Sequence, residues 1–421
     1  MTGRVHVIGG GLSGLAAAVS LASGGRAVTV WEQAGQAGGR CRSFFDDGLQ
    51  RTIDNGNHLV LSGNRSLQAY LRTIGALDRL SGPECAAFPF IDLASGERWT
   101  VRPGAGRVPW WVLSAARRIP QTRLREYLAA WRLARAGDGC TVADCVGGSG
   151  QLYRRFWEPL CVSALNTAAE EGAARLLWQV LRETFGRGEA ACRPLIATAG
   201  LAESFVEPAL DYLRARGAEV RLHSRLRAIE TEGDRVSRLH FTGDAAEVDV
   251  SPHCAVILAV PPGVATSLLP GLEAPQGSRA IVNGHFLLPR SAPVPSFLGL
   301  IGGVSQWLFL RGDVASVTVS AADDLARESN DAIAALLWPE VCRALRITDP
   351  ALPRWRIVKE KRATFAQTPA EVSRRPGCGT RWKNLRLAGD WTDTGLPATI
   401  EGSVRSGHTA AANVFACATR A

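Results

Sequence analysis

RVHVIGGGLSGLAAAVSLASGGRAVTVWE, from Arg4 to Glu32, decides the fold. Val5, Val7 and Ile8 make a short apolar strand. Gly9-Gly10-Gly11-Leu12-Ser13-Gly14 then fits G-x-G-x-x-G, and Leu15 to Ala22 reads as an Ala/Leu-rich helix stopped by Gly24-Gly25. Ala27 to Trp31 is a second strand, with Glu32 at its end. This order serves one chemistry. Gly9 allows a tight turn, Gly11 lets backbone approach a pyrophosphate, and Gly14 lets helix and strand pack closely. The helix start at Leu12 and Ser13 offers unpaired N–H groups and a positive dipole end to phosphates. Glu32 lies 18 residues beyond Gly14, where a carboxylate binds ribose hydroxyls. A carboxylate there disfavours a 2′-phosphate, so NADP is not expected at this site.

NAD and FAD share this fingerprint, and the next residues separate them. In EQAGQAGGRCRSF, Gly38, Gly39 and Arg40 follow directly on the acidic strand end. This resembles the flavoprotein pattern in which a second Gly-Gly-Arg turn contacts the cofactor diphosphate and sugar. Arginine pairs with phosphate oxygens, and glycines let backbone come close. The expected cofactor is FAD.

The bulk composition fits a multi-domain globular protein. The chain has 421 residues, 46% of them hydrophobic and 21% charged. Its formal charge of +9 comes from arginine, since the only lysines are Lys359, Lys361 and Lys383. No RNA or DNA motif accompanies that charge, so no nucleic-acid partner is expected. The ten cysteines form no CxxC pair and no zinc spacing with histidine, which reads as reduced thiols in a cytosolic protein without a metal. No signal peptide fits ahead of the first strand, and no window holds 18 uncharged apolar residues.

The middle of the chain is more varied. Residues 101–135 carry eight arginines against one acid, Glu126, a local net charge of +7, together with Trp110, Trp111 and Trp131. Leu124, Leu128 and Trp131 fall at i, i+4 and i+7, which predicts a helical segment within 105–135 with one apolar face and basic flanks. Such a segment can lie at a membrane interface, or pack on the core with a solvated basic face. YRRFWEPLCVSALNT (153–167) and LLWQVL (176–181) read as helical walls of a cavity or of an ordinary core. From Gly200 the pattern returns to α/β, with CAVILAVPP (254–262) a buried strand ending at two prolines. Residues 281–360 read as mixed strands followed by a helix over 324–337.

The closing stretch NLRLAGDWTDTGLPATIEGSVRSGHTAAANV resembles the C-terminal FAD motif of the amine oxidase and phytoene desaturase superfamily. The resemblance implies an α/β fold: a Rossmann-type FAD-binding domain of the glutathione-reductase kind and a discontinuous α+β substrate domain. Residues 1–75, 200–265 and 380–421 are assigned to the first, and 76–199 and 266–379 to the second. It also implies that Gly389 and Asp390 meet the ribityl and phosphate groups. Pro397, Ala398, Thr399 and Ile400 would lie beside the isoalloxazine, where a helix start stabilises negative charge. Leu226 corresponds to the position that holds the adenine edge through backbone. The segment DNGNHLVLSGN is similar to a D-x-G-x-H element that passes along the ring, here Asp54, Gly56 and His58.

With EKRATFAQTP (360–369) and EPLCVSALNT, these motifs resemble the hydroxysqualene dehydroxylase family most closely. That family implies reductive loss of the hydroxyl of hydroxysqualene to give squalene, by hydride from reduced flavin N5 to an allylic carbon. NADPH or another donor would supply the electrons. His58 is the candidate acid for the departing hydroxyl, and Asn57 its partner or that of the substrate. A bacterial, cytoplasmic enzyme is implied, peripheral on the inner face of the cytoplasmic membrane and associated with preceding squalene-pathway enzymes. Thr399 stands where amine oxidases carry an aromatic residue, so amine oxidation is disfavoured. A carotenoid or phytoene-type desaturase and a non-catalytic isoprenoid carrier remain alternatives.

Overall fold

The computed structural model describes residues 3–242, 247–289 and 296–418. At its centre the strand Val5–Ile8 is buried at every position, His6 included, because both faces of the sheet are covered. It pairs in parallel with Val28–Trp31 on one side and Ala255–Leu258 on the other. Glu219–Arg221 and Leu385–Leu387 complete a five-stranded parallel sheet. Strands from both ends of the chain therefore share one layer.

Helix Leu12–Ser23 packs on this sheet, and helix Ile400–Ala418 packs against that helix. Small residues set the spacing. A Cβ on Gly407 would sit 2.2 Å from the Ser13 carbonyl oxygen and 2.9 Å from the Ala17 nitrogen. A Cβ on Gly14 would sit 1.9 Å from the Gly9 carbonyl oxygen.

The second body is a seven-stranded mixed sheet. Its order is Trp355–Phe365, Ser278–Leu287, Val314–Val319, Trp307–Arg311, Phe297–Ile301, Phe88–Asp92, Arg98–Val101. Helix Asn330–Leu345 covers one face, burying Leu337 and Trp338 in the same core as Phe286 and Val317. The other face looks into a large cavity. Helices Glu158–Leu165 and Ala174–Glu183 wall that cavity, the first through Pro159, Leu160, Ser163 and Ala164 and the second through Val180 and Glu183.

Two expectations need their bounds corrected. The helix expected over 324–337 runs from Asn330 to Leu345. Ser329 caps it by accepting the Ala332 N–H at 3.2 Å, and Pro339 lies inside it rather than ending it. The helical segment expected within 105–135 is short and begins after both of its prolines. Residues 105–135 form a 3-10 turn at Trp110–Leu113, a second at Leu124–Ala129 and a short helix at Ala130–Ala134. Pro109 and Pro120 cannot donate to a helical ladder and keep regular helix out of the residues before Leu124, while Leu124, Leu128 and Trp131 share the continuous stretch that follows.

Gly407→Ala separates two physical effects. Helix propensity alone favours alanine by about 1 kcal/mol. Forcing a methyl against the backbone of the neighbouring helix costs about 1–3 kcal/mol. A lower denaturant midpoint is expected, and a higher one would contradict the close helix contact.

Candidate active site

Between the two sheets lies a cavity of about 1690 Å³. A single small ligand needs roughly 300–1,000 Å³, so there is room for a long cofactor and a second molecule. At one end two glycine turns touch. The Gly38 N–H donates to the Gly10 carbonyl at 2.8 Å, and Gly11 and Gly38 form an isolated parallel bridge. Gly9 and Gly38 both have φ of +108°, a region that favours glycine. A Cβ on Gly11 would meet nothing within 4 Å, because it faces the open cavity. Gly11 precedes helix Leu12–Ser23 without any side-chain cap. The free N–H groups of that helix start are left for a ligand. Glu32 accepts from the Gly10 N–H at 2.7 Å and from the Ala34 N–H at 2.8 Å, with its side chain lining the cavity.

The closing loop forms the opposite wall. Gly389, with φ of +147°, donates its N–H to Ser406 Oγ at 2.9 Å. Asp390 pairs with Arg40 at 2.7 Å, a contact between residues 350 positions apart. Arg40 also donates to the Ala363 carbonyl. Buried Arg375 ties the loop from behind. It donates to the carbonyls of Leu396 (2.8 Å), Asp390 (3.1 Å) and Thr392. Burial pulls its guanidinium down to about 10. The Ala398 N–H donates to Gln367 Oε1 at 2.8 Å, and Gln367 Nε2 donates to the Leu165 carbonyl at 2.6 Å. Thr399 accepts from the Gly402 N–H at 3.2 Å and so caps helix Ile400–Ala418.

The residues 54–58 bring polar groups to the cavity edge. Asp54 itself is buried and structural. It accepts from Ser43 (2.6 Å), the Leu201 N–H (2.9 Å) and Arg311 (2.6 Å). Asn57 Nδ2 donates to Thr318 Oγ1 at 3.1 Å. Burial pushes the His58 imidazole down to about 4, so the ring is neutral at pH 7. The candidate acid therefore starts as a neutral ring, whose one N–H is available to donate a hydrogen bond.

Residues 12–415 match the family model described as flavin containing amine oxidoreductase. The chain is 50% identical to a hydroxysqualene dehydroxylase of Rhodopseudomonas palustris over 99% of both chains. It is 48% identical to one of Sinorhizobium fredii over 98% of both. The chain belongs to the hydroxysqualene dehydroxylase family of flavin-containing amine oxidoreductases. A solved putrescine oxidase shares the fold at 18% identity, with a TM-score of 0.70 over 99% of both chains.

Family membership makes this an FAD-dependent oxidoreductase, and the cavity lining fits that cofactor. The two glycine turns and the uncapped helix start leave open space in which a Cβ on Gly11 would meet no protein atom within 4 Å, which suits a diphosphate. Gly9, Gly11, Leu12, Ser13, Glu32, Gly38, Gly39, Arg40, Gly56 and Leu226 all line the cavity. So do Gly389, Asp390, Pro397, Ala398, Thr399 and Ile400, and Asn57 and His58. Gly14, expected among the cofactor-binding residues, does not reach it. Its missing side chain instead lets the helix press on the Gly9 carbonyl.

Four side chains in and around this family's site escaped the sequence reading: Gln367, Arg375, Asn283 and Thr318. Gln367 sits inside the quoted motif EKRATFAQTP, and that motif was the available signal. Arg375 gave none in a chain so rich in arginine. Its removal leaves three buried carbonyls unpaired. Arg375→Ala should weaken FAD retention by about 10-fold or more, since an orphaned buried acceptor costs roughly 1–3 kcal/mol. Flavin absorbance of the dialysed protein reads this out, and full retention would contradict the bracing role.

Proposed function

We propose that this chain reductively removes the hydroxyl of hydroxysqualene to give squalene. The observation that carries the reading is its near-half identity, over nearly the whole chain, to two relatives of that name. Reduced FAD, when bound, supplies the hydride that replaces the hydroxyl at the allylic carbon. The chain's own residues bind, orient and exclude water. In this reading 1–75, 200–265 and 380–421 form the cofactor domain, and 76–199 with 266–379 form the substrate domain. All five strands of the parallel sheet lie in the first set and all seven of the mixed sheet in the second.

The cofactor contacts we assign follow the cavity lining. Gly9, Gly11, Leu12, Ser13, Gly38, Gly39 and Arg40 take the diphosphate side, and Glu32 and Leu226 the adenosine side. Gly389, Asp390 and Pro397 through Ile400 take the ribityl chain and ring. His58 donates a hydrogen bond from its neutral ring to the leaving oxygen, and Asn57 orients that hydroxyl. Hydroxide leaves poorly, so the proton that completes the water comes from solvent rather than from a stored imidazolium. NADPH, or another visiting donor, supplies the electrons. The sequence carries no second G-x-G-x-x-G that would hold it permanently.

We further propose that residues 105–135 dock on an anionic lipid surface, the source of an isoprenoid substrate. Val108, Trp110, Leu113, Leu124, Leu128 and Trp131 are all exposed; the two tryptophans are 68% and 63% accessible. Eight arginines flank them in residues 101–135. Apolar side chains in the interface with arginines at the headgroups is the arrangement of a peripheral anchor. No described helix is long and apolar enough to cross a membrane. Buried Trp111 joins this segment to the core that contains Phe88, Phe90 and Val101, all of which line the cavity. We also place the chain beside the enzymes that precede it in squalene synthesis, on the cytoplasmic face.

Two measurements check these readings. Mass spectrometry of lipids after incubation with hydroxysqualene, FAD and NADPH or dithionite should show squalene; its absence with both reductants would sink the function. Co-sedimentation with phosphatidylglycerol vesicles at low salt should fall about tenfold or more in a Trp110→Glu, Trp131→Glu double variant. Equal binding by wild type and variant would remove the anchor.

A further inference from the structure

The face of the seven-stranded sheet that looks into the cavity is polar at one side and aromatic at the other. Its register aligns a single cross-strand row. Asn283 lies opposite Thr318, Thr318 opposite Trp307, and Trp307 opposite Gly299. Gly299 in turn lies opposite Phe90, and Phe90 opposite Trp99. Residues opposite one another point to the same face, and neighbouring strands lie roughly 4.8 Å apart. Five steps make a track about 24 Å long. Gly299 keeps it continuous, because a Cβ there would lie 2.3 Å from the Phe90 ring. With that space open, the Phe90 and Trp307 rings approach to 5.5 Å, and Phe90 stacks on Trp99 at 5.7 Å and 9°.

The polar end of the row has a fixed hydrogen-bond direction. A backbone carbonyl only accepts, so the amide nitrogen of Asn283 must face the Asn55 carbonyl, 3.2 Å away. That turns Asn283 Oδ1 toward Thr318, whose hydroxyl donates to it at 2.8 Å. Having spent its one proton, Thr318 Oγ1 must accept from Asn57, and Asn57 Nδ2 lies 3.1 Å from it. Asn57 Oδ1 is then left without a partner among the described residues, at the cavity edge. Thr318 and Asn283 are 7% and 1% exposed, so water does not readily substitute for their partners. Three neutral side chains thus present one oriented acceptor beside an aromatic floor.

We propose that this row is the specificity site for the substrate: Asn57 Oδ1, held by Thr318 and Asn283, accepts a hydrogen bond from the hydroxyl of an allylic alcohol, and the polyene lies along Trp307 and Phe90. The inference rests on the isoprenoid-alcohol reading above and adds which residues tell substrate from product. A hydrocarbon product gains the aromatic contacts and loses the hydrogen bond, so it binds more weakly and leaves. Thr318 and Asn283 are positioning residues, since they act through Asn57.

The test uses oxidised holoenzyme, which binds without turning over, and reads flavin absorbance changes on titration with hydroxysqualene and with squalene. Thr318→Val keeps the side-chain shape and breaks the chain of hydrogen bonds. It should lose about 5- to 150-fold in affinity for hydroxysqualene, the range an unpaired buried polar group imposes, with squalene affinity unchanged. Thr318→Ser should restore most of the difference. Trp307→Ala should weaken both ligands alike. Equal loss of both ligands in Thr318→Val, or no loss of either, overturns the specificity site while leaving the reaction intact. If wild type neither binds nor converts hydroxysqualene, the functional reading fails and the proposal with it.

Discussion

Backbone must reach backbone at the mouth of the first helix, and the rest of the molecule is arranged around that need. Gly38 bonds to Gly10 and bridges Gly11, with no side chain between the two turns. Gly14 and Gly407 extend the same requirement inward, one against the Gly9 carbonyl and one against the Ser13 carbonyl. A side chain at Gly407 would push helix Ile400–Ala418 away from helix Leu12–Ser23, which packs on the sheet. The closing loop would then leave the cavity wall, and the Arg40–Asp390 pair that joins the chain's beginning to its end could not form. Close packing of glycine thus positions both halves of a cofactor site whose parts lie far apart in sequence.

The loop itself has a layered support. Arg375 holds its carbonyls from the buried side, and Gln367 holds the Ala398 N–H while gripping the end of helix Glu158–Leu165. Backbone groups that would otherwise be orphaned are satisfied by side chains, which leaves the helix start at Ile400 aimed into the cavity. A buried arginine spent on neutral carbonyls is costly to desolvate, and burial does pull it down to about 10. Its several hydrogen bonds offset that cost and fix the loop in one shape.

How much was legible in the sequence depended on whether the chemistry demanded a residue type at a fixed spacing. The glycine turns, Glu32 and the Gly389-Asp390 corner were legible because few other residues permit those backbone paths. Asn283 and Thr318 were not, since their meeting depends on the register of two strands and no local pattern encodes it. Pro339 inside helix Asn330–Leu345 hid that helix's length. In the segment 105–135 the i, i+4, i+7 pattern of Leu124, Leu128 and Trp131 lies on the helical stretch that follows both prolines. Those side chains are exposed, as are Trp110 and Leu113 on the earlier 3-10 turn. His58 was found by motif, but its neutral state depends on burial, which only the folded cavity reveals.

In the proposed reaction, flavin held between the two ends of the chain reduces an isoprenoid alcohol lying on the aromatic row. Anaerobic stopped-flow mixing of the fully reduced holoenzyme with hydroxysqualene tests it most directly. The account predicts return of the oxidised flavin spectrum in a single turnover, with one squalene formed per flavin. Flavin that stays reduced in the presence of hydroxysqualene, yet reoxidises in air, would contradict it.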